Sequence, residues 1–273
     1  MKKTVFICIC ALGLNSLFAQ QEQAKDSLTA SPISLEEVSV AGLRASENQP
    51  VPFSEVTKED LASRNLGQDL PILLNFLPAV VTTSDAGAGI GYTGIRVRGS
   101  DATRVNVTIN GIPYNDAESQ GTFWVNLPDF ASSVESIQLQ RGVGTSTNGS
   151  SAFGASLNIL TSAAAPEAYA EVTNAVGSFN TLRHTLKFST GLLNDRVEIS
   201  GRLASIASDG YIDRASSDLK SYFLQGIYQD ENTLLKALIF GGHEITYQSW
   251  FGVDPYTLEN DRTYNFAGEI YDA

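Results

Sequence analysis

The chain has 273 residues, 18% of them charged, with a formal net charge of −12. Neutralising phosphates takes the opposite sign, so this balance argues against a nucleic-acid partner. No apolar run after residue 20 reaches the ~20 residues a membrane-spanning helix needs, whereas 23 glycines and few charges suit alternating strands.

In chain order, the first element has the build of an export signal. Lys2 and Lys3 form a positive end, Val5 to Leu14 an apolar run, and Ser16 to Ala19 the approach to cleavage before Gln20. The run is too short for an anchor helix, and Cys10 after Ile9 makes a poor lipoprotein signal. Cys8 and Cys10 both fall here, so the exported chain is expected to have no disulfide and no thiolate metal site. Residues 20–49 read as a tether, polar and without period from Gln20 to Ser34. Inside it, Leu35, Val38 and Val40 form a short β-forming stretch. It reads either as the first strand of the next domain or as a segment able to add a strand to a partner's sheet edge.

Residues 50–165 read as one domain. Thr57-Lys-Glu-Asp60 has the form of a capping box and predicts a helix from Lys58 to Arg64. A second helix, Gln68 to Asn75, tolerates Pro71 only in its first turn, and its buried face is Leu70, Leu73, Leu74 and Leu77. Pro78 stops it. Thr82 to Gly94 is glycine-rich, but no Lys-Ser or Lys-Thr follows and no helix opens after it, so it is expected to be a mobile apical loop and not a phosphate cradle. Strands Ile95 to Arg98 and Val105 to Ile109 lead to an Asn110-Gly111 turn. A polar and aromatic loop follows from Tyr114 to Trp124, then a helical turn near Pro128 to Val134. A strand from Glu135 to Gln140 ends at Arg141-Gly142. Arg96 and Arg98 share a strand face by spacing; enclosed guanidinium groups there need carboxylates, while a solvated face needs none.

From Ala168 the texture changes. Five strands are expected: Ala168 to Val176, Leu182 to Thr190, Arg196 to Ser205, Ser221 to Tyr228 and Leu234 to Glu244. Leu182, Leu186 and Phe188 oppose Arg183, Thr185, Lys187 and Ser189; Val197, Ile199 and Leu203 oppose Arg196, Glu198, Ser200 and Arg202. Apolar-out, polar-in strands of this length suit a lipid-embedded barrel. The last strand, with Lys236 among apolar residues, alternates poorly. Connections Gly191 to Asp195 and Gln229 to Thr233 are short; Ala207 to Lys220 and the segment after Glu244 are long, the one-sided bias of outer-membrane barrels, with Gly177 to Thr181 as the exception. His184 and His243 fall in different strands, and Gly149 to Gly154 does not form a G-x-S-x-G elbow. No catalytic set, metal cluster or cofactor is expected.

The order of these pieces resembles the plug domain of TonB-dependent outer-membrane receptors. Its most specific elements are Arg96-Val-Arg-Gly99, Asn110-Gly-Ile-Pro113 in place of an Asp-Gly-x-Pro hairpin, and Glu135-Ser-Ile-Gln-Leu-Gln-Arg-Gly142. The resemblance implies an α+β plug domain followed, over residues 166–273, by the first antiparallel strands of a transmembrane β-barrel. Five strands are too few to close such a barrel, so the chain is expected to end part-way through it. The resemblance also implies a Gram-negative outer-membrane location, contact with lipid, and active uptake of a scarce small-molecule ligand. A ferric siderophore or other iron complex comes first, with haem, cobalamin and glycans as other cargoes. Glu36, Glu37, Val38, Ser39, Val40 and Ala41 resemble the Ton box, gripped by the periplasmic TonB energy-coupling protein. Arg96, Arg98 and Arg141 match arginines that lock the plug to acidic side chains inside the barrel. Tyr92, Tyr114, Asp116, Phe123 and Trp124 in the plug loops, and Tyr247, Trp250, Phe251, Tyr256 and Arg262 in the last segment, are expected to face the ligand, although aromatic residues also serve as membrane girdles. The rival reading is a secreted β-rich adhesin or scaffold without transport.

Overall fold

The computed structural model describes residues 44–144, 148, 152–247 and 249–269. The expected export signal, most of the expected tether and Glu36 to Ala41 lie outside the described residues.

The first sheet comes from the N-terminal domain. Its strands are β1 (Phe53–Thr57), β4 (Val105–Ile109), β5 (Ile112–Pro113), β6 (Val134–Arg141) and β7 (Ala155–Thr161), in the order β1-β6-β7-β4-β5. Only β4 and β7 run parallel; the other pairs are antiparallel. Strands β2 (Val80–Ser84) and β3 (Thr93–Val97) form a separate hairpin. Helix α1 (Lys58–Arg64) opens on the expected reciprocal cap: the Asp60 N–H donates to Thr57 Oγ1 at 3.3 Å and the Thr57 N–H to Asp60 Oδ2 at 3.1 Å. Helix α2 is shorter than expected, only Leu70–Leu73. Pro71 fits its first turn, but the following residues tighten into i→i+3 turns, Leu74 N–H to Pro71 O and Asn75 N–H to Ile72 O, before Pro78. Leu70, Leu73, Leu74 and Leu77 are nevertheless all buried, joining Val107, Ile137, Leu139, Leu157 and Ile159 in the core. Asn110 and Gly111 both have positive φ (48° and 80°), the type I′ geometry that joins β4 to β5.

The second sheet is a meander of five antiparallel strands in chain order: β8 (Ala168–Val176), β9 (Leu182–Thr190), β10 (Val197–Ser208), β11 (Ser217–Gln229) and β12 (Leu234–Thr246). It does not close on itself; β8 and β12 are its edges. The first two strands have the expected bounds. Strand β10 runs three residues past its expected end and β11 starts four residues early, which shrinks the connection between them to residues 209–216. Leu186, Leu203, Leu224 and Ile239 are exposed on the outward face, while Arg183, Thr185, Glu198, Arg202 and Gln225 are buried on the inward one. The inward face is not uniformly polar. Phe223 belongs to the core of the first domain, and Leu238 and Phe240 pack against it. Strand β12 is therefore apolar on both faces over its middle, which is why its sequence alternates poorly. The last segment also holds a short helix, α3 (Pro255–Asn260), capped by Asp254.

Candidate functional site

The functional geometry lies along the seam where the N-terminal domain sits on the inward face of the wall sheet. Its centre is Asp129, held in a left-handed conformation (φ 53°) at the start of a 3₁₀ turn, Phe130–Ser133. Its side chain is fully shielded, and those of Arg183 and Arg202 are only 5% and 2% exposed. Arg183 Nη2 donates to Asp129 Oδ1 at 2.8 Å and to Ser132 Oγ at 2.7 Å, and Arg183 Nη1 donates to the Asn65 carbonyl at 2.9 Å. Thr185 Oγ1 donates to Asp129 Oδ2 at 2.6 Å. Arg202 Nη1 donates to the backbone carbonyls of Asp129 (2.6 Å) and Pro128 (2.9 Å) and lies 3.5 Å from Asp129 Oδ2. Ser221 Oγ donates to the same Pro128 carbonyl. Three consecutive wall strands thus grip one turn. Burial by itself would push the Asp129 carboxyl up; Arg202, Arg183, Thr185 and Ser132 outweigh it and hold the group below the usual carboxylate range. Gly67 belongs to this node too: at φ +114° a Cβ there would sit 3.2 Å from Arg183 Cδ.

Two further contacts flank it. Beside the turn, Phe130 meets Phe223 edge-on (centroids 6.0 Å) and Phe240 (5.4 Å), and Tyr114 closes the group against Phe240 (6.1 Å). Near the short-connection end, the Asn110 amide and Thr161 bond each other in both directions at 2.9 Å. Thr161 Oγ1 then donates to Gln225 Oε1, and Gln225 Nε2 to the Ser162 carbonyl. The turn residue Asn110 is thereby wired to the wall.

At the long-connection end, the backbone N–H groups of Tyr211 and Ile212 donate to the Ala86 carbonyl, fastening the glycine-rich loop to the connection after β10. Tyr92 stands on a small apolar cluster of Ile90, Val125, Ile206 and Leu219. Its ring meets Trp250 edge-on at 5.9 Å; Trp250 in turn contacts Phe251 (5.9 Å), and Phe251 contacts Phe266 (4.8 Å). Trp250, Phe251, Tyr247 and Tyr256 are exposed, as are Phe123 and Arg262. Asp116 is exposed and accepts the N–H groups of Glu118 and Ser119, bonds that lower its pKa.

Two expectations change here. Trp124 does not face outward: it is 2% exposed and belongs to the core, because its 3₁₀ turn (Trp124–Asn126) folds the ring under the domain. Arg98 does not share a strand face with Arg96, since it follows the end of β3 with φ +52°. Instead the two Arg-Gly pairs meet, with Arg98 Nη1 lying 3.1 Å from where a Cβ on Gly142 would sit. Arg141 spans strands within its own sheet, donating to Ser54 Oγ (2.6 Å) and the Phe53 carbonyl (3.3 Å). Among the described residues, the ion pairs crossing the seam put the carboxylate on the N-terminal domain and the arginines on the wall, and they do not involve Arg96, Arg98 or Arg141. The described strands offer Arg183 and Arg202 at that height, so the buried acid has to come from the other side. Sequence alone does not single out Asp129. The available signal was the pair of inward arginines on successive strands, which require a carboxylate partner.

Comparison with known proteins agrees with this architecture. Residues 45–156 match the family model described as TonB-dependent Receptor Plug Domain. The chain is 29% identical over 199 residues to the vitamin B12 transporter BtuB of Vibrio vulnificus, covering 72% of this chain and 30% of that protein. It is 26% identical over 187 residues to a probable TonB-dependent siderophore receptor, PirA, of Acinetobacter baumannii, covering 63% and 25%. Among solved structures, the ferric citrate transporter FecA superposes with a TM-score of 0.63 at 17% identity, over 78% of this chain and 34% of that one. The siderophore receptor PirA from Acinetobacter baumannii superposes with a TM-score of 0.57 at 20% identity, over 72% and 32%. The chain thus spans about a third or less of the length of these proteins.

Proposed function

The chain carries the plug domain and first wall strands of a TonB-dependent receptor, and from that premise we propose that it serves active uptake of a scarce metal chelate, an iron complex in the first place, across an outer membrane. The observation that carries this reading is the plug seated on the inward face of an outward-apolar strand wall, anchored through Asp129. Similar proteins named for vitamin B12 and for siderophores support the class of cargo. In this reading, ligand lands on the exposed aromatic residues at the long-connection end. The segment Glu36 to Ala41 is the handle that the energy-coupling protein pairs with by strand addition, and a proton gradient supplies the work of moving the plug. Arg96, Arg98 and Arg141 are assigned to hold the plug in its seat during the cycle. The export signal at residues 1–19 delivers the chain.

The test is Val38→Pro, which removes a backbone donor from the handle without touching ligand contacts. Energy-dependent uptake should vanish while ligand binding persists; unchanged uptake refutes the handle. Growth of a deletion strain on single iron, haem, cobalamin and glycan sources identifies the cargo. Recovery of the whole protein in the soluble secreted fraction refutes the transport reading itself.

A further inference from the structure

Three separate segments assemble the end of the molecule assigned above to ligand capture. The plug loop joins the connection 209–216 through the Ala86 carbonyl, and that connection joins the last segment. There the Asp213 N–H donates to the Thr263 carbonyl, Asn265 Nδ2 to the Asp213 carbonyl and Arg214 Nε to the Ala267 carbonyl. Two properties result. One is the aromatic row Tyr92–Trp250–Phe251–Phe266, whose last three rings are between 42% and 49% exposed. The other is the charge. Across residues 82–94, 209–216 and 247–269 there are seven Asp and Glu against Arg214 and Arg262, and no Lys. Asp254 accepts from the Thr257 hydroxyl and from the Thr257 and Tyr256 N–H groups, which keeps its carboxyl ionised to lower pH.

A surface of this kind repels a polyanion and attracts a cation over a Debye length of roughly 8–10 Å. Ring faces add to that, because their quadrupole favours a cation or an apolar surface over a bare carboxylate or phenolate. We infer that the aromatic row receives a neutral or cationic metal chelate, one presenting alkyl, aryl or ammonium surface, and selects against polyanionic chelates such as tricatecholates. This inference rests on the uptake reading and narrows its cargo by charge. The loop charges would be background for a chelate whose donor groups neutralise the metal, and a barrier for one that leaves net negative charge.

The test uses the whole receptor purified in detergent and two ferric probes, a trihydroxamate bearing a free ammonium (singly positive) and a tricatecholate (triply negative). The cationic complex is expected to bind about 10-fold or more tightly at low salt, with the preference shrinking as salt shortens the Debye length toward ~3 Å at 1 M. Glu259→Lys should lower that preference. Trp250→Ala should weaken the cationic complex while Trp250→Phe retains it, which separates loss of ring contact from loss of fold. Equal or tighter binding of the tricatecholate, or no binding of the cationic probe, overturns the inference. Energised uptake that is lost in Val38→Pro would still stand after such a result, so the charge assignment and the transport reading fail separately.

Discussion

Replacing Asp129 with Asn deletes one charge and leaves the shape almost unchanged. Two guanidinium groups, each at most 5% exposed, then face each other across an amide. Removing one partner of a buried ion pair costs about 3–5 kcal/mol, mostly because the remaining charge stays buried without compensation. The amide oxygen can still accept from Ser132 or Thr185, and Arg202 keeps its two backbone acceptors, so we expect the lower end, about 3 kcal/mol. At 1.4 kcal/mol per factor of ten, that raises the population of opened plug about 100-fold. Hydrogen exchange of the β6 and β7 amides in the purified whole receptor reads this directly as faster exchange. The pH dependence has a defined sign. The folded pKa of Asp129 lies below its ordinary value of 3.8, so the clamp contributes fully above that value and is lost as pH falls through the depressed one. The Asn variant should therefore converge on the parent only in strong acid. Exchange at neutral pH within about 0.5 kcal/mol of the parent, the range of an ordinary surface substitution, would refute the clamp. Asp129→Leu combined with Arg183→Met and Arg202→Met should recover most of the loss, because packed apolar replacements of buried ion clusters are often neutral or stabilising.

Other predictions separate the faces of the wall and the roles of the seam. Phe223→Ala should cost about 3–5 kcal/mol, as it opens a cavity beside Phe130 and Phe240, whereas the outward neighbour Tyr222→Ala should cost under about 1 kcal/mol in detergent; denaturant titration of the whole receptor compares them. Gly91→Ala places a Cβ 2.8 Å from Ser217 Oγ at φ +94°, so exchange of the plug loop amides should accelerate by roughly tenfold or more while β6 stays protected. Asp69 is buried, and that burial outweighs its hydrogen bonds from Thr93 and the Gly91 backbone to push its pKa well above 3.8. The neutral form is therefore the one the fold favours. Asp69→Asn should stabilise the plug near neutral pH, with the gain disappearing below about pH 4, where the unfolded acid is also protonated; a melting series across pH checks it.

Local signals were legible where one interaction decides the outcome. Thr57 and Asp60 announced their cap, Asn110-Gly111 its turn, and strands β8 and β9 their bounds, because each depends on neighbours in sequence. What stayed hidden depends on partners far along the chain. Trp124 sits in a polar loop by sequence, yet the adjacent 3₁₀ turn carries it into the core. Phe223 and Phe240 broke the alternation of their strands because the surface they meet is Phe130, about 100 residues earlier, and not water. Arg98 and Arg141 stand out by their Arg-Gly pairs, while the buried pairing uses the less conspicuous Arg183 and Arg202 with Asp129. Inward-facing arginines could be read from period two; the turn that answers them could not.

The strand order also sets a folding problem with two time scales. In the wall every strand pairs with its successor, so each hairpin closes a loop of a few residues and zipping can follow the chain. In the plug, β1 must find β6 with Phe53 opposite Gln140, and β4 must find β7 in parallel with Val105 opposite Ala155. Those pairings pay a larger loop-closure entropy before any bond rewards them, and they form slowly for that reason. The node at Asp129 couples the two processes. Its arginines become available only when β9 and β10 are in register, and its turn only when β6 has joined its sheet. Arg183 and Arg202 therefore gain the Asp129 carboxylate only when the plug takes its seat, and its arrival is what neutralises them.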